Sequence, residues 1–331
     1  MGSTRTETGE TATAAVPTDV KQQSGSFFSR LSESLSCLKN NDGRDVVVAD
    51  DRASLLAHVH LVDYAGAATQ NKAFREKMED MCVLEPAYVL TPNETGAYFA
   101  VFDGHGGSTC SEYAAKHLHV RLNELLNQAD RDRKPTELLG NIELIECLAE
   151  AYATIDRELE DLFDEATPCG STAVTCVLRQ LNGRLFYYIA NVGDSRAILF
   201  NGSEPKRLTV DHVVSNESEY KRIMDKNGLI FKNRVAGVSK VTRALGQCSE
   251  KQFITGSPHM SVGEVVKDSQ AFMVLVSDGI SDVLDDAVLC AFIQQRRQNG
   301  SSAKDICADV LNEAKTMGST DNMSILLLLW H

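Results

Sequence analysis

Runs of apolar residues separated by turn-forming residues are the strongest pattern in this chain. Thr172–Leu178 and Leu185–Ala190 flank the pair Asn182-Gly183, and both residues of that pair tolerate positive φ. This pattern predicts a β-hairpin. Four more apolar runs predict strands at Tyr98–Phe102, Arg196–Phe200, Phe272–Val276 and Met323–Trp330.

Apolar residues recur at helical spacing in separate blocks between these runs. In one block, Tyr113, Leu118, Leu122 and Leu125 follow helical spacing. Because helices and strands come in separate runs, the pattern favours an α+β protein with antiparallel sheets over a doubly wound fold. The predicted helices are Ser108–Asn127, Pro135–Phe163, Val214–Asn227, Asp285–Gln298 and Ala303–Met317.

The start of the chain lacks this patterning. Residues 1–25 are rich in Thr, Ser, Gly and Glu, so we expect a disordered tail. Met1–Thr6 matches the Met-Gly-x-x-x-Ser/Thr pattern of N-myristoylation at Gly2, with a chance match or a cloning remnant as alternatives. Residues 26–54 predict a short amphipathic helix over Ser26–Lys39 and a linker. We expect that helix to pack on the main domain, or else to touch a membrane beside an acyl chain.

Composition and charge narrow the function. The chain has 331 residues, 43% of them hydrophobic, and its composition is globular from about residue 55 to residue 331. A formal net charge of −13 disfavours nucleic-acid binding, which needs clustered Lys and Arg. Nine cysteines without a Cys-x-x-Cys pair predict a reducing compartment. With no signal peptide and no spanning apolar run, we expect a cytoplasmic protein, membrane-associated if Gly2 is acylated; a nuclear location stays open.

Carboxylates stand at the ends of several apolar runs. Asp103, Asp278 and Asp321 lie next to predicted strands, and Glu79-Asp80 precede another apolar run. A carboxylate beside a buried strand is costly to desolvate unless a basic group or a cation neutralises it, although any single Asp can be a turn residue. Oxygen ligands select hard ions such as Mg²⁺, Mn²⁺ or Ca²⁺, and the spacing excludes an EF-hand. Together with glycine carbonyls, a His and an Arg, these acids indicate a two-metal phosphoryl site.

Ordered motifs along residues 55–331 carry a family resemblance. They are, in order, Arg75-x-x-Met78-Glu79-Asp80, Val101–Gly107, Gly170–Ala173, Asn191–Ala197, Asp211-His212, Glu219 with Arg222, Arg234-Val235, Thr242–Gly246, Ser277–Gly279 and Ser319–Asn322. With these motifs the chain resembles the metal-dependent serine/threonine protein phosphatases of type 2C. The resemblance implies two antiparallel sheets stacked face to face with helices outside, an α-β-β-α sandwich.

The resemblance also implies a site and a reaction. The reaction is hydrolysis of phosphoserine and phosphothreonine in proteins, by a water that bridges two Mg²⁺ or Mn²⁺ ions and attacks phosphorus in line. Arg75 would bind phosphate, and His105 would protonate the leaving oxygen, unless His105 is only a structural histidine. We expect a monomer whose partners are phosphorylated proteins. The implied metal ligands are Glu79, Asp103 (shared by both ions), the carbonyl of Gly104, Asp278 and Asp321, with Asp80 and Asn322 supporting them from behind.

The chain departs from the family pattern at a few positions. Gln247 stands where the family usually has an Asp associated with a third, weaker metal, which puts a third ion in doubt. Ser281 stands where Trp is common. Two alternatives to an active phosphatase stay open. One is a binding module without catalysis, which Gln247 and Ser281 slightly favour, and the other is a different two-metal hydrolase such as a phosphodiesterase.

Overall fold

The computed structural model describes residues 36–38, 46–49, 57–131, 139–164, 167–265 and 268–330. The strands in chain order are β1 (Ser36–Leu38), β2 (Val46–Ala49), β3 (Leu61–Thr69), β4 (Met81–Thr91), β5 (Glu94–Phe102), β6 (Gly104–His105), β7 (Gly170–Ser171), β8 (Ala173–Leu181), β9 (Arg184–Val192), β10 (Arg196–Phe200), β11 (Pro205–Arg207), β12 (Ile230–Phe231), β13 (Arg234–Val235), β14 (Leu245–Gly246), β15 (His259–Glu264), β16 (Phe272–Val276) and β17 (Met323–Trp330). The α-helices are α1 (Thr109–Asp130), α2 (Asn141–Leu162), α3 (Glu217–Asp225), α4 (Asp278–Ser281), α5 (Asp286–Gln298) and α6 (Ala303–Thr316).

Two antiparallel sheets of six strands each form the centre of the fold. The first has the strand order β1-β4-β5-β8-β9-β15, and the second has the order β11-β10-β16-β17-β3-β2. The chain crosses between the two sheets several times, and one of these crossings lies between β9 and β10. A small three-stranded sheet has the order β14-β7-β6. In this sheet, β6 directly follows β5 along the chain and β7 directly precedes β8.

The two sheets stack, and helices cover their outer faces. Along β5, Tyr98, Ala100 and Phe102 belong to a core shared with α1 and α2, whereas Phe99 and Val101 belong to the core between the sheets. The other face of the second sheet packs on α5 and α6. A strand that is buried on both faces has apolar residues at nearly every position, which explains the long apolar runs of the sequence. The layers confirm the predicted α+β sandwich.

The central hairpin forms where the local sequence signal predicts it. β8 and β9 pair up to Leu181 and Arg184, and the two residues between them, Asn182 and Gly183, have φ angles of 52° and 75°. Both angles lie in the left-handed region that a tight hairpin turn requires. The predicted hairpin is therefore confirmed, as are the strands predicted at β10, β16 and β17.

The region before residue 57 differs from its prediction where it is described. Ser36–Leu38 forms β1 and pairs with β4, so the helix predicted over Ser26–Lys39 is wrong at these residues. Val46–Ala49, predicted as part of a linker, forms β2 at the edge of the second sheet. The predictions for residues 1–25, for Gly2 and for the rest of that helix lie outside the described residues.

The longest predicted helix starts later than expected. The sequence predicts it from Pro135, but α2 begins at Asn141, and residues 135–138 are not among those described. Gly140 precedes the helix, and Glu143 reaches back to accept a hydrogen bond from the Gly140 N–H at 2.7 Å. This is the reciprocal half of a capping box, which satisfies a backbone donor at the helix start. Across the described part of the chain, no helix has the length and apolarity to cross a membrane.

Candidate functional site

In the first sheet, the acids lie at the ends of two neighbouring strands. β4 begins at Met81 and β5 ends at Phe102, and these two residues are paired across the strands. Antiparallel pairing puts the start of one strand next to the end of its neighbour. Asp80 and Asp103 therefore leave the sheet side by side, with Glu79 one residue further into the loop.

The second sheet repeats this arrangement. β16 ends at Val276, which pairs with Ile325 near the start of β17. Asp278 follows β16 as the first residue of α4, and Asp321 lies just before β17. Asp194 lies in the connection by which the chain crosses from β9 to β10. Strand ends of both sheets thus contribute carboxylates to one region.

A cleft of about 340 Å³ gathers these acids. All residues predicted to be catalytic or to bind metal lie along it, whereas Asp80 and Asn322 do not line it. The sequence interpretation gave no role to three other lining residues, Asp194, Arg234 and Lys240, although Asp194 and Arg234 fall within motifs that it quoted. The charged and polar residues that line the cleft include Arg75, Glu79, Asp103, His105, Asp194, Arg234, Lys240, Gln247, Asp278 and Asp321.

Asn322 fixes the loop that carries Glu79. Its side-chain oxygen accepts a hydrogen bond from the Glu79 N–H at 2.8 Å. Its side-chain nitrogen donates to the carbonyls of Gln70 at 2.8 Å and Lys77 at 3.1 Å. One buried amide therefore holds two turns of the Gln70–Glu79 loop against the start of β17, which sets the position of Glu79 at the cleft.

Asp80 is buried behind the cleft. Its Oδ2 accepts a hydrogen bond from the Ser324 hydroxyl at 2.8 Å, and its Oδ1 has no partner among the described residues. An unpartnered buried carboxylate oxygen is costly unless positive charge lies nearby. Burial, opposed by the Ser324 hydrogen bond, raises the pKa of Asp80 to about 7.

Burial and mutual repulsion oppose ionisation of the acids in the cleft. Desolvation, reinforced by the charges of Asp80 and Asp278, raises the pKa of Asp103 well above its usual range. Desolvation and the nearby Asp278 raise the pKa of Asp194 to about 7. The pKa values of Glu79 and Asp278 are also raised, in both cases mainly by desolvation. Such crowding of acids is the electrostatic signature of a site that binds cations or catalyses acid–base chemistry.

Two basic side chains contact the acids from the rim. The Arg75 guanidinium pairs with the Asp321 carboxylate, and its Nε donates to the Thr320 carbonyl at 3.3 Å. The Lys240 ammonium lies 3.6 Å from Asp278 Oδ2. The Arg75 side chain is 46% exposed, so its planar fork is accessible to an incoming oxyanion.

The donor set fits a hard divalent cation. Carboxylates and a backbone carbonyl are the ligands that Mg²⁺ and Mn²⁺ prefer. A Cβ added at Gly104 would lie 2.4 Å from the Glu79 carbonyl, so glycine is needed for this close approach beside Glu79. Among the described residues, no three His, Cys, Asp or Glu side chains already converge on a point that could hold an ion.

His105 lies in the cleft and contacts Gln247. Its Nε2 is 2.8 Å from the Gln247 side-chain oxygen. Burial lowers the pKa of His105 below its ordinary value, opposed by the Gln247 hydrogen bond. The sequence interpretation treated Gln247 only as a missing metal ligand and did not predict this contact.

Comparison with known proteins shows the family and agrees with the fold. Residues 64–323 match the family model described as Protein phosphatase 2C. The chain is 32% identical, over 79% of its length and 91% of the relative, to Protein phosphatase 2C homolog 1 of Saccharomyces cerevisiae. It is 32% identical, over 78% of its length and 68% of the relative, to Protein phosphatase 1B of Mus musculus. The crystal structure of serine-threonine phosphatase 2C from Toxoplasma gondii has the same fold, with a TM-score of 0.67 at 22% identity, over 87% of this chain and 99% of that one.

The chain therefore belongs to the protein phosphatase 2C family. It is a protein serine/threonine phosphatase, and its family is in general dependent on Mg²⁺ or Mn²⁺. The family resemblance and the enzyme class predicted from the motifs are confirmed.

Proposed function

We propose that this phosphatase hydrolyses phosphoserine and phosphothreonine at the cleft where the strand ends of both sheets meet. Glu79, Asp103 and the Gly104 carbonyl would hold one divalent cation, and Asp103, Asp278 and Asp321 would hold a second. When bound, Mg²⁺ or Mn²⁺ supplies a water of lowered pKa and positive charge that stabilises the transferring phosphoryl group. The proposal is supported by one observation above all: acids from both sheets line a single cleft, where the pKa values of Asp103 and Asp194 are raised.

Arg75 is proposed to bind the substrate phosphate. Its guanidinium already pairs with the Asp321 carboxylate, an anion with two oxygens in a plane. A phosphate presents the same spacing of oxygens to the planar fork, and carries more charge. Arg75 would therefore orient the phosphorus towards the acids while its partly exposed position lets substrate enter and product leave.

His105 is proposed to protonate the oxygen of the departing seryl or threonyl group. An alkoxide is a poor leaving group, so a positioned proton donor lowers the barrier to breaking the P–O bond. His105 directly follows Gly104 in β6, so the same two-residue strand carries a proposed metal ligand and the proposed acid. Its ring lies in the cleft that also contains Arg75 and Asp103.

Hydrolysis of a phosphothreonine peptide by the purified full chain tests the proposal. We expect turnover with excess Mn²⁺, loss of turnover in EDTA and recovery when Mn²⁺ is added back. Bis(p-nitrophenyl) phosphate, a phosphodiester, should be a much poorer substrate under the same conditions. Equal peptide hydrolysis in EDTA would contradict the metal-dependent site, and a preference for the diester would favour the phosphodiesterase alternative.

Divalent cations are expected to stabilise the folded chain in a pH-dependent way. In the metal-free protein, Asp194 has a pKa of about 7 when folded, against 3.8 ordinarily, so its ionisation destabilises the fold as pH rises from about 4 to about 7. A cation held by the neighbouring carboxylates favours the ionised form of Asp194 and removes this penalty. At about 100 times its Kd, an ion adds about 2.7 kcal/mol to the free energy of unfolding.

Thermal unfolding checks this expectation. The increase in Tm on adding Mn²⁺ should be larger at pH 8 than at pH 6, because protons no longer compete at pH 8. A stabilisation that is absent, or that is larger at pH 6, would show that these acids do not hold the ion. The control sample contains NaCl at the same ionic strength in place of Mn²⁺, in buffer without Ca²⁺, and it measures the effect of general charge screening on Tm.

A further inference from the structure

The small sheet β14-β7-β6 brings His105 and Gln247 together. His105 in β6 pairs with Gly170 in β7, and Gly170 pairs in turn with Gly246 in β14. Gln247 directly follows Gly246, so it lies two strands away from His105 with only Gly170 between them. A Cβ on Gly170 would lie 2.6 Å from His105 Nε2 and 3.0 Å from Gln247 Cβ. Glycine at this position therefore leaves the space in which the imidazole meets the amide.

The Gln247 side chain is buried and bonded at both of its polar atoms. Its exposed fraction is 1%. The oxygen Oε1 lies 2.8 Å from His105 Nε2, with the Ser239 hydroxyl 3.5 Å away. The nitrogen Nε2 donates to Glu250 Oε2 at 3.1 Å, and the same carboxylate oxygen accepts from the Ser249 hydroxyl at 2.6 Å. Such a buried amide with both ends satisfied has one favoured orientation.

These contacts determine which nitrogen of His105 carries a proton. The Glu250 carboxylate only accepts hydrogen bonds, so the NH₂ end of Gln247 faces Glu250 and its oxygen faces His105. An amide oxygen also only accepts, so His105 Nε2 must carry a hydrogen. In the neutral imidazole this leaves Nδ1 free to receive the second proton.

The backbone of Gln247 supports the same arrangement. Its φ and ψ angles are 52° and 55°, a left-handed conformation that is uncommon for residues with a side chain. The Gln247 N–H donates to the Cys169 carbonyl at 2.7 Å, which holds the residue next to β7. This strained backbone conformation directs the Gln247 side chain past Gly170 towards His105.

We propose that Gln247, anchored by Glu250, is a positioning residue that fixes the tautomer and the ring orientation of His105. This inference rests on the proposed role of His105 as the acid. In the reaction, the bond from the attacking water oxygen to phosphorus forms while the bond from phosphorus to the seryl oxygen breaks. Both hydrogens of the water leave with the phosphate product. The electron pair of the broken bond stays on the seryl oxygen, which takes the proton from Nδ1 of the imidazolium. The product is a neutral imidazole with its hydrogen on Nε2, the tautomer that the Gln247 oxygen binds.

Two substrates whose leaving groups differ in their need for an acid separate this role from a structural one. Phosphoserine leaves as an alkoxide and needs a proton, whereas p-nitrophenyl phosphate leaves as a stable phenolate. General-acid catalysis contributes roughly 10²–10⁴-fold where it is needed, so a misplaced acid should cost part of that factor. We expect Gln247→Met to lower kcat about 30-fold on a phosphoserine peptide and less than about twofold on p-nitrophenyl phosphate.

Three further variants complete the comparison. His105→Ala should show the same substrate dependence with a larger loss, and Glu250→Gln a smaller one, because its carboxamide no longer forces the orientation of Gln247. Gln252→Met, an exposed glutamine of the same loop, should leave kcat on both substrates unchanged. Equal losses on both substrates for Gln247→Met would overturn the positioning role. A His105→Ala variant without substrate dependence would instead overturn the role of His105 in the proposed function.

A spectroscopic measurement tests the inference without turnover. Long-range ¹H–¹⁵N spectra of the full chain report which nitrogen of each histidine carries hydrogen, and the His105→Ala spectrum identifies the His105 signals. We expect an Nε2–H tautomer in the wild type and a mixture of tautomers in Gln247→Met. An Nδ1–H tautomer in the wild type, or an unchanged spectrum in Gln247→Met, would contradict the proposal even if the enzyme is inactive in the chosen assay.

Discussion

Replacing Asp103 with asparagine is expected to lower kcat/KM for a phosphothreonine peptide by about 10³-fold, the effect of losing about 4 kcal/mol of transition-state stabilisation. Asp103 is the one residue proposed to contact both cations, so removing its charge weakens both sites at once. The change is nearly isosteric, and the backbone around it is held independently. The Asp103 carbonyl accepts from the Thr172 N–H at 2.9 Å, and the Asp103 N–H donates to the Thr172 hydroxyl at 3.2 Å.

The stability of the same variant distinguishes a functional acid from a structural one. Burial and neighbouring carboxylates raise the pKa of Asp103, so its negative charge is unfavourable in the metal-free fold. Asp103→Asn should therefore melt, without metal, at a temperature no lower than the wild type, and should lose most of the stabilisation by Mn²⁺. Asp225→Asn, at an exposed position at the end of α3, serves as the control. Full activity in Asp103→Asn, or a lowered melting temperature without metal, would contradict the proposed role.

The sequence predicted the elements whose cause is local. Asn182-Gly183 requires a tight turn whatever surrounds it, because positive φ is cheap for these residues and costly for most others. β16, and β17 apart from Ser324, are apolar because both strands are buried on both faces, and such runs are visible without knowing their partners. Acids next to these runs, such as Asp103, Asp278 and Asp321, are visible for the same reason. The roles of Arg75 and His105 came from the family resemblance instead, and Asp194 was given no role before the fold was known.

The remaining features depend on partners that are distant in sequence. Ser36–Leu38 has helical spacing of apolar residues with its upstream neighbours, yet it forms a strand because β4 offers an unpaired edge. The contact between His105 and Gln247 joins residues 142 positions apart and depends on Gly170 of a third strand. Lys240 lies in a loop without regular patterning, and only the fold places it beside Asp278. No periodicity or motif in a single sequence predicts such contacts between distant residues.

The second large effect is expected on the free energy of unfolding, when Glu219 in α3 is replaced by glutamine. Its side chain is 2% exposed and joins the helix to the segment that leads into β14. One oxygen accepts from Arg222 at 2.9 Å and from the Thr242 hydroxyl at 2.8 Å, and the other accepts from Arg243 at 2.6 Å. Glu219→Gln leaves two partly buried guanidinium groups without their counter-charge. Breaking such a pair should lower the free energy of unfolding by about 3 kcal/mol.

The pH dependence of this loss follows from the ionisation of Glu219. Burial opposes ionisation, but the hydrogen bonds from Arg243, Arg222 and Thr242 outweigh it and lower the pKa of Glu219 to about 2, against 4.5 ordinarily. A group whose pKa is lowered on folding stabilises the fold above its unfolded pKa, and that contribution is lost as pH falls towards its folded pKa. The difference between wild type and Glu219→Gln should therefore be full above about pH 4.5 and fade between about pH 4.5 and pH 2.

Urea unfolding between pH 3 and pH 7 measures this difference. Glu217→Gln removes an exposed carboxylate from the same first turn of α3, so it controls for the loss of a negative charge at a helix start. That control should change the free energy of unfolding by less than about 1 kcal/mol. If Glu219→Gln is no more destabilising than Glu217→Gln, or if its effect is the same at pH 3 as at pH 7, the ion-pair cluster does not stabilise the segment leading to Gln247. A full effect at pH 7 that shrinks at pH 3 would instead locate the stabilisation in the ionised Glu219 side chain, since its shape is the same at both pH values.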